Sequence, residues 1–304
     1  MKNCEWIDHA LVRAFAEEQT DAYRLCTFDD GWVERYGPDV LVSYKTEAAR
    51  ERLTTELYLW SPANGLTFTR VFARDLPRQN AQRDAPELIV GDASSGVEAV
   101  ATERGLRFGI SFATGYSAGL FLDQRENRSY VRECKPKTLL NCFAYTCSFS
   151  VVAATTGTKT VNIDLSKKSL ARGRDNFTLN RQSTAGHRFI ADDVMEVLPR
   201  LARKGQKFDF IILDPPTFSR SHRGKPFQVE SDFEPLLLAA LEVAERDAQI
   251  LLSTNCSTLD EHGLEVMARF CLKASRRAGT LQRQPRPGDF PPEAGASTAW
   301  LILR

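Results

Sequence analysis

The apolar and polar positions follow two different patterns along the chain. From residue 113 onward, short apolar runs alternate with longer segments whose apolar residues recur at helical spacing. Strands that alternate with helices in this way predict a doubly wound α/β fold, with a mainly parallel sheet covered by helices on both faces. The predicted strands are 138–143, 160–163, 187–191, 208–213, 249–252 and 298–303, and the predicted helices are 119–133, a helix starting at 148, 166–179, 194–203, 232–246 and 260–277.

The first part of the chain has a less regular pattern. Apolar residues recur at helical spacing within 5–18 and 47–60, and the segment between them alternates around turn residues, which is typical of antiparallel strands. Further predicted strands are 66–73, 87–90, 97–102 and 106–112, with a loop at 75–86. We therefore expect a small α+β domain over residues 1–112, followed by the α/β domain over residues 113–304. Binding of RNA or another substrate is the candidate role of the first domain.

The composition is that of a globular protein and argues against a membrane protein or a metal-binding protein. The chain is 42% hydrophobic and 26% charged, as in an ordinary globular protein, and its net charge of +1 means that a polyanionic partner would need local basic patches. Two basic runs, at 220–225 and 273–286, have this composition, although such runs are often only solvated surface. No apolar run approaches the ~20 residues of a membrane span, so we expect a cytoplasmic protein. The seven cysteines form no CxxC pair, which predicts reduced thiols and no metal site.

The segment Lys137–Asp164 reads as a βαβ unit that suits a nucleoside cofactor. A strand is followed by a turn at Tyr145-Thr146-Cys147, a helix from Ser148, and a second strand that ends at Asp164. Helix N-termini favour polar or anionic ligand groups, and a carboxylate after the second strand can accept the hydroxyls of a ribose. The turn lacks the glycines of a dinucleotide fingerprint, and Asp164 has the alternative role of capping the next helix.

Three more strand ends carry polar groups. Asp193 can accept a hydrogen bond from an adenine amine, Asp214-Pro215-Pro216-Thr217-Phe218 follows the strongest apolar strand, and Cys256 follows the fifth strand. Each has a simpler explanation: Asp193 caps a helix, the prolines end a strand, and Cys256 fills a buried space. Because the carboxyl ends of parallel strands share one edge of the sheet, we interpret the set as a functional site.

These motifs resemble a known family of enzymes. The segments 141–146, 164–166, 175–180, 192–194 and 214–218, together with 119–125, are similar to class I S-adenosylmethionine-dependent methyltransferases. They most resemble the bacterial large-subunit rRNA methyltransferases, which include 5-methylcytosine enzymes and related guanine enzymes. The resemblance implies a seven-stranded Rossmann-like sheet, S-adenosylmethionine as cofactor and RNA, expected to be rRNA, as substrate. We expect the chain to lack the N-terminal PUA domain of longer members.

The resemblance also implies roles for individual residues. The cofactor-binding residues are Phe143, Ala144, Tyr145, Thr146, Asp164, Leu165, Asp193, Val194, Asp214, Gln124 and Arg125, and the substrate-binding residues are Pro215, Pro216, Thr217, Phe218 and Arg223. Cys147-Ser148 replaces the glycine pair that is usual in the cofactor turn. A cysteine at a position that needs a positive φ is expected to be strained.

The chemistry divides into two alternatives within this fold. Cys256 matches the nucleophile of the 5-methylcytosine enzymes, where a thiolate adds to C6 and makes C5 nucleophilic, while Asp214 holds the ring near N3. The guanine alternative needs only Asp214-Pro215-Pro216 and an aromatic residue such as Phe218. From the sequence, we favour methylation of cytosine C5 over methylation of a guanine nitrogen. A third hypothesis, from another class, is a non-catalytic RNA-binding protein with a degenerate methyltransferase fold. The sequence does not distinguish a monomer from a homodimer.

Overall fold

The computed structural model describes residues 4–76, 84–114, 117–219 and 226–304. The chain forms two compact units, one of residues 1–125 with 287–294 and the other of residues 126–286 with 295–304. The first unit thus extends beyond residue 112 and takes in a segment from near the end of the chain. A buried ion pair within this unit, between Arg125 and Asp289 at 2.7 Å, holds that segment.

The first unit contains a six-stranded mixed sheet. The strands follow the spatial order β1-β2-β3-β4-β5-β6, with all neighbours antiparallel except β4 and β5, which α2 connects as a parallel pair. A separate antiparallel hairpin is formed by β7 and β8. The elements are β1 (Glu5–Trp6), α1 (His9–Glu17), β2 (Ala22–Phe28), β3 (Gly31–Tyr36), β4 (Asp39–Tyr44), α2 (Glu47–Ala63), β5 (Arg70–Asp75), β6 (Glu87–Val90), β7 (Glu98–Glu103) and β8 (Leu106–Ser111).

The predicted first helix is wrong at its start. Glu5–Trp6 pairs with β2, and the helix begins only at His9 because Asp8 caps it by accepting a hydrogen bond from Ala10 N at 2.7 Å. The predicted strand at 66–73 also begins late, at Arg70. Most of the loop predicted at 75–86 lies outside the described residues.

The second unit contains a seven-stranded sheet with helices packed on it. Its elements are α3 (Arg125–Cys134), β9 (Thr138–Cys142), α4 (Ser148–Ala154), β10 (Lys159–Asp164), α5 (Lys167–Leu179), β11 (Arg188–Ala191), α6 (Val194–Arg203), β12 (Phe208–Leu213), β13 (Phe218–Ser219), β14 (Phe227–Gln228), α7 (Val229–Leu241), β15 (Ala244–Thr254), α8 (Glu261–Ala274), β16 (Gly279–Gln282) and β17 (Ser297–Leu303).

The spatial order of this sheet is β11-β10-β9-β12-β15-β17-β16. The first five strands are parallel, and β17 is antiparallel to both β15 and β16. The predicted doubly wound, mainly parallel, seven-stranded α/β sheet is confirmed. From β9 the chain moves outward to β11 and then returns to β12 on the other side of β9, so the strand order reverses there. Ligands of such sheets bind at this point, beyond the carboxyl ends of the strands.

Several elements of this unit differ from the sequence prediction. The helix predicted at 119–133 begins only at Arg125, and the strand predicted at 249–252 extends over Ala244–Thr254. The helix predicted at 232–246 covers Val229–Leu241, because the charged residues that follow form the exposed start of the long strand β15. The edge strand β16 was not predicted. Neither was the short hairpin of β13 and β14, which follows Asp214-Pro215-Pro216. Both missed elements are short, and short strands carry little periodic signal.

Candidate cofactor and active site

The loop that joins β9 to α4 has an unusual backbone. Phe143, Tyr145 and Cys147 have φ values of 58°, 47° and 60°, so every second residue is in the left-handed region although none is glycine. Such conformations cost free energy for residues with a Cβ and persist only where the surroundings fix them. The positive φ expected for Cys147 is present, so the loop must be held by other contacts.

Strand β10 provides part of this support. Ala144 N donates a hydrogen bond to Ile163 O at 2.9 Å, and Tyr145 N donates to Asp164 Oδ2 at 2.8 Å. Within the loop, Cys147 N donates to Ala144 O at 2.7 Å. The loop is therefore attached to the end of the neighbouring strand through Asp164.

Helix α5 supports the loop from another side. Asn176 is 1% exposed, and its Nδ2 donates a hydrogen bond to Thr146 O at 2.9 Å. One turn earlier, a Cβ added at Gly173 would lie 2.5 Å from Cys147 Sγ, so the missing side chain makes room for the cysteine. The sequence indicated the motif around Asn176 only as a resemblance, and it gave Gly173 no role.

Asp164 has both a structural role and remaining capacity to bind a ligand. Its Oδ2 accepts from Tyr145 N and its Oδ1 accepts from Ser166 N, each at 2.8 Å. Burial raises the pKa of Asp164 above its ordinary value, while the two backbone N–H donors act in the opposite direction. A carboxylate has about four lone-pair sites, so two hydrogen bonds leave room for the two hydroxyls of a ribose. This donor set fits the cofactor that the resemblance implies.

The neighbouring strand end carries Asp193 and Val194. Asp193 Oδ1 accepts from Met195 N at 2.9 Å, so the helix-cap interpretation holds for one of its two carboxylate oxygens. Val194 is 2% exposed and belongs to the apolar core, which leaves only its backbone available to a ligand. Asp192 N donates to Asp164 O at 3.1 Å, which places this turn beside the end of β10. The contact of Asp193 with adenine stays a prediction.

Asp214 lies at the end of β12, next to β15. Ser253 Oγ of β15 donates a hydrogen bond to Asp214 Oδ1 at 2.6 Å, which fixes the orientation of the carboxylate. The chain then turns outward: Pro215 is buried, Pro216 and Thr217 are exposed, and Phe218 is 51% exposed. An oriented carboxylate is thus followed closely in sequence by an aromatic side chain that is open to solvent. Arg223 lies outside the described residues.

Cys256 follows β15 but has the surroundings of a structural cysteine. It is 7% exposed and belongs to the apolar core of the sheet. In the described part of the chain, its Sγ lies 3.1 Å from Thr258 Oγ1 and 3.9 Å from Glu230 Oε1. Reactive cysteines usually lie in electropositive and partly exposed surroundings, and these contacts are of the opposite kind.

Gln124 and Arg125 are the two predicted cofactor-binding residues that lie in the first unit. Both residues are buried within the first unit. The Arg125 guanidinium pairs with Asp289 at 2.7 Å and donates from Nη2 to Ala22 O at 2.7 Å. These contacts give Arg125 a structural role in the first unit. The contact of Gln124 and Arg125 with the cofactor stays a prediction.

Part of the basic run at 273–286 is paired with acidic residues. Arg283 pairs with Glu265 at 2.6 Å, and Arg286 pairs with Glu261. Arg277 donates to the backbone carbonyls of Leu241, Glu245 and Arg246. Carboxylates therefore compensate two of the five cations in this run, Arg283 and Arg286. The run at 220–225 lies outside the described residues.

Membrane spans and metal clusters are both absent from the described ranges of the chain. Within them, no helix is long and apolar enough to cross a membrane. The same ranges contain no group of three or more His, Cys, Asp or Glu residues that could hold a metal ion.

Known proteins of similar sequence are methyltransferases of ribosomal RNA. The chain is 30% identical to the ribosomal RNA large subunit methyltransferase I of Aeromonas hydrophila, over 88% of this chain and 70% of that protein. It is 32% identical to the ribosomal RNA large subunit methyltransferase K/L of Shewanella loihica, over 97% of this chain and 42% of that protein. With methyltransferase I of Tolumonas auensis it shares 32% identity over 67% of this chain. The chain spans about half the length of that relative, 52%.

A solved structure also has this fold. The crystal structure of SMU.776, in complex with SAH, superposes with a TM-score of 0.82 at 25% identity, over 96% of this chain and 78% of that one. The sequence model of the S-adenosylmethionine-dependent methyltransferases matches residues 46–296. The predicted family and its cofactor, S-adenosylmethionine, are confirmed by these matches. With its strained loop fastened to Asp164 at the switch point of a seven-stranded sheet, the chain belongs to the family of S-adenosylmethionine-dependent methyltransferases.

Proposed function

We propose that this protein transfers a methyl group from S-adenosylmethionine to a base of ribosomal RNA. The observation that carries the proposal is the position of Asp164, whose carboxylate holds the strained loop and keeps acceptor sites for a ribose. The names of the sequence relatives support ribosomal RNA as the substrate. When bound, the cofactor supplies an electrophilic methyl group, so the protein must present a nucleophilic atom of the base.

Different residues of the second unit bind different parts of the cofactor. Asp164 accepts the ribose hydroxyls, and the backbone of Phe143–Thr146 contacts the methionine end of the cofactor. Leu165 and the backbone of Val194 line the nucleoside, and the second carboxylate oxygen of Asp193 accepts from the adenine amine. Each assignment places a polar or backbone group at the carboxyl end of β9, β10 or β11, where ligands of doubly wound sheets bind.

The target base lies, in this proposal, between Asp214 and Phe218. Asp214, oriented by Ser253 at 2.6 Å, accepts a hydrogen bond from an N–H of the base. The exposed ring of Phe218 stacks on the base, and such stacking contributes about 1–3 kcal/mol per base. Pro215 and Pro216 fix the path of the chain between these two residues because proline restricts φ. Arg223 is assigned to the RNA backbone.

Among the two chemistries, the contacts of Cys256 favour a guanine nitrogen as the acceptor. A ring or exocyclic nitrogen needs orientation and a proton acceptor, and Asp214 provides both without a covalent intermediate. Cys256 is 7% exposed and has Thr258 and Glu230 as its described partners, which suits a packed side chain better than a nucleophile.

Cytosine C5 is the second candidate, and the position of Cys256 favours it. The residue lies just past the end of β15, three positions after the serine that holds Asp214. In that chemistry the Cys256 thiolate would add to C6 and so make C5 nucleophilic toward the methyl group that the bound cofactor would supply. Transfer of the C5 proton to solvent would then expel the thiolate. Glu230 Oε1, at 3.9 Å from Sγ, is a carboxylate that can accept the thiol proton.

The test is methylation of ribosomal RNA from a strain that lacks the gene, followed by mass spectrometry of the nucleosides. Incorporation of methyl groups supports the activity, and the modified nucleoside identifies guanine or cytosine. A protein that binds RNA but shows no thermal stabilisation by S-adenosylmethionine would overturn the proposal in favour of a non-catalytic RNA-binding protein. A cytoplasmic location belongs to the same proposal, because ribosomal RNA is its substrate.

A further inference from the structure

The first unit contains a cleft of about 560 Å³. Ligand-binding clefts commonly measure roughly 300–1,000 Å³, so this volume is sufficient for a nucleotide-sized group. One wall is the face of α1, and the remaining walls come from β2, β3, β7 and the turns at 19–21 and 64–66. The lining residues that matter for charge are His9, Arg13, Asp21 and Arg35.

The lining of the cleft is rich in basic side chains. In the part of the chain that the structure describes, His9, Arg13 and Arg35 line this cleft, and none of the three forms an ion pair. His9 and Arg13 are four residues apart on α1, so they lie on the same face of the helix. The acid in the lining, Asp21, accepts a hydrogen bond from Thr102 N through Oδ1 at 2.5 Å. The cleft therefore has a local excess of positive charge.

Arg35 is held in place before any ligand binds. Its Nε donates to Gly37 O at 2.9 Å, and its Nη1 donates to Tyr23 OH at 2.8 Å. A guanidinium has five N–H groups, so these two bonds leave three without a described protein acceptor. Because the side chain is already ordered, a bond to a ligand costs less conformational entropy than it would at a free surface arginine.

We propose that this cleft binds phosphate groups of the RNA substrate, with Arg35 as the fixed contact and Arg13 and His9 as the outer contacts. The proposal rests on the proposed function, since it assumes that RNA is the substrate. A net charge of +1 requires that attraction to RNA come from local patches. In the described part of the chain, arginines 283 and 286 of the basic run are paired with acids, whereas the cations of the cleft are not.

The experiment measures binding of a fluorescein-labelled single-stranded RNA by anisotropy over a range of KCl concentrations. Arg13→Gln, which removes an exposed side chain without described partners, should weaken binding up to roughly tenfold at low salt. The slope of log affinity against log salt should fall by about 0.7 for each phosphate that the variant no longer neutralises. Arg35→Gln and the double variant should add to the effect. Arg50→Gln is the matched control, since it removes the same charge from an arginine paired with Glu47 and Glu87.

The outcomes separate this proposal from the proposed function. Arg35→Gln also removes the hydrogen bond to Tyr23, which could affect folding. Each variant is therefore first checked for unchanged thermal stabilisation by S-adenosylmethionine. If Arg35→Gln does not fold, Arg13→Gln alone tests the phosphate site. An unchanged salt slope in Arg13→Gln, or an equal change in Arg50→Gln, overturns the phosphate site while methylation by the wild type upholds the proposed function. Wild-type protein that binds no RNA overturns both.

Discussion

Gly173 of α5 leaves the space that the side chain of Cys147 occupies, since a Cβ at residue 173 would lie 2.5 Å from Cys147 Sγ. Cys147 has a φ of 60°, a conformation in which glycine would be free of strain. The loop therefore has a cysteine where its backbone favours glycine, and the facing helix has the glycine. The two positions form one packing unit, so a change at either one should depend on the residue at the other.

The first prediction tests this pair by a double-mutant cycle. Gly173→Ala should push the cysteine and the cofactor loop apart, lowering the free energy of unfolding by about 1–3 kcal/mol and weakening S-adenosylmethionine binding. Cys147→Gly should restore most of both losses in the Gly173→Ala background. Urea unfolding and calorimetry of cofactor binding measure the two effects. Strictly additive effects of the two substitutions would show that the residues do not act as one unit.

The second prediction concerns Asn176, which holds the same loop through Thr146 O. Asn176→Ala removes the amide that donates to this carbonyl in a buried setting, which costs about 1–3 kcal/mol. We expect lower stability and weaker binding of S-adenosylmethionine, measured by the same two methods. Thr178→Ala on the same helix is the control, because this side chain is exposed and its hydroxyl donates within the helix, to Arg174 O. Equal effects of the two substitutions would contradict a specific role for Asn176.

The contacts of α5 with the cofactor loop are an example of what the sequence could not predict. The sheet was predictable because its strands are mainly apolar runs, as at Phe208–Leu213, where the predicted and observed bounds coincide. The strand ends with Asp164 and Asp214 were predictable from the chain order of strands and helices. The contact between Gly173 and Cys147 was not, because it depends on the distance between two elements, which no periodic pattern encodes. The burial of Arg125 against Asp289 was hidden for the same reason, since the two residues are far apart in sequence.

The third prediction compares the two acidic residues at neighbouring strand ends. Asp164→Ala removes the acceptor of the ribose hydroxyls and of Tyr145 N, so affinity for S-adenosylmethionine should fall by about 1.5–3 kcal/mol for each charge-assisted bond removed. Asp193→Ala should cost less affinity, because the adenine amine is neutral, but about 1 kcal/mol of stability through loss of the helix cap. Calorimetry gives the affinities. Unchanged affinity in Asp164→Ala would remove the ribose assignment.

The fourth prediction follows from the raised pKa of Asp164, whose largest cause is burial. The folded protein holds this proton more tightly than the unfolded chain does. The contribution of Asp164 to the free energy of unfolding is therefore greatest below the unfolded pKa and falls as the pH rises through the folded pKa. The wild-type free energy of unfolding, measured relative to Asp164→Asn without cofactor, should decline across the acidic range as the pH increases. A difference that grows with pH would mean that the two backbone donors outweigh burial.

The last prediction separates the two chemistries through Cys256. If a guanine nitrogen accepts the methyl group, Cys256→Ser should keep near-normal activity and cofactor binding, because the thiol then has a packing role against the core, Thr258 and Glu230. Cys271→Ser is the matched control, since Cys271 is also buried and its Sγ contacts Glu234 O at 3.9 Å.

In cytosine chemistry a thiolate bonds to C6, and the bond is released only when C5 loses its proton. RNA that carries 5-fluorocytosine cannot lose its C5 substituent in this way, so it would retain the enzyme in a complex that survives denaturation. We expect no such complex with the wild-type protein on denaturing gels. A complex that forms with the wild type and Cys271→Ser but disappears with Cys256→Ser, together with loss of methyl transfer in that variant, would establish Cys256 as the nucleophile and reverse the preference for guanine.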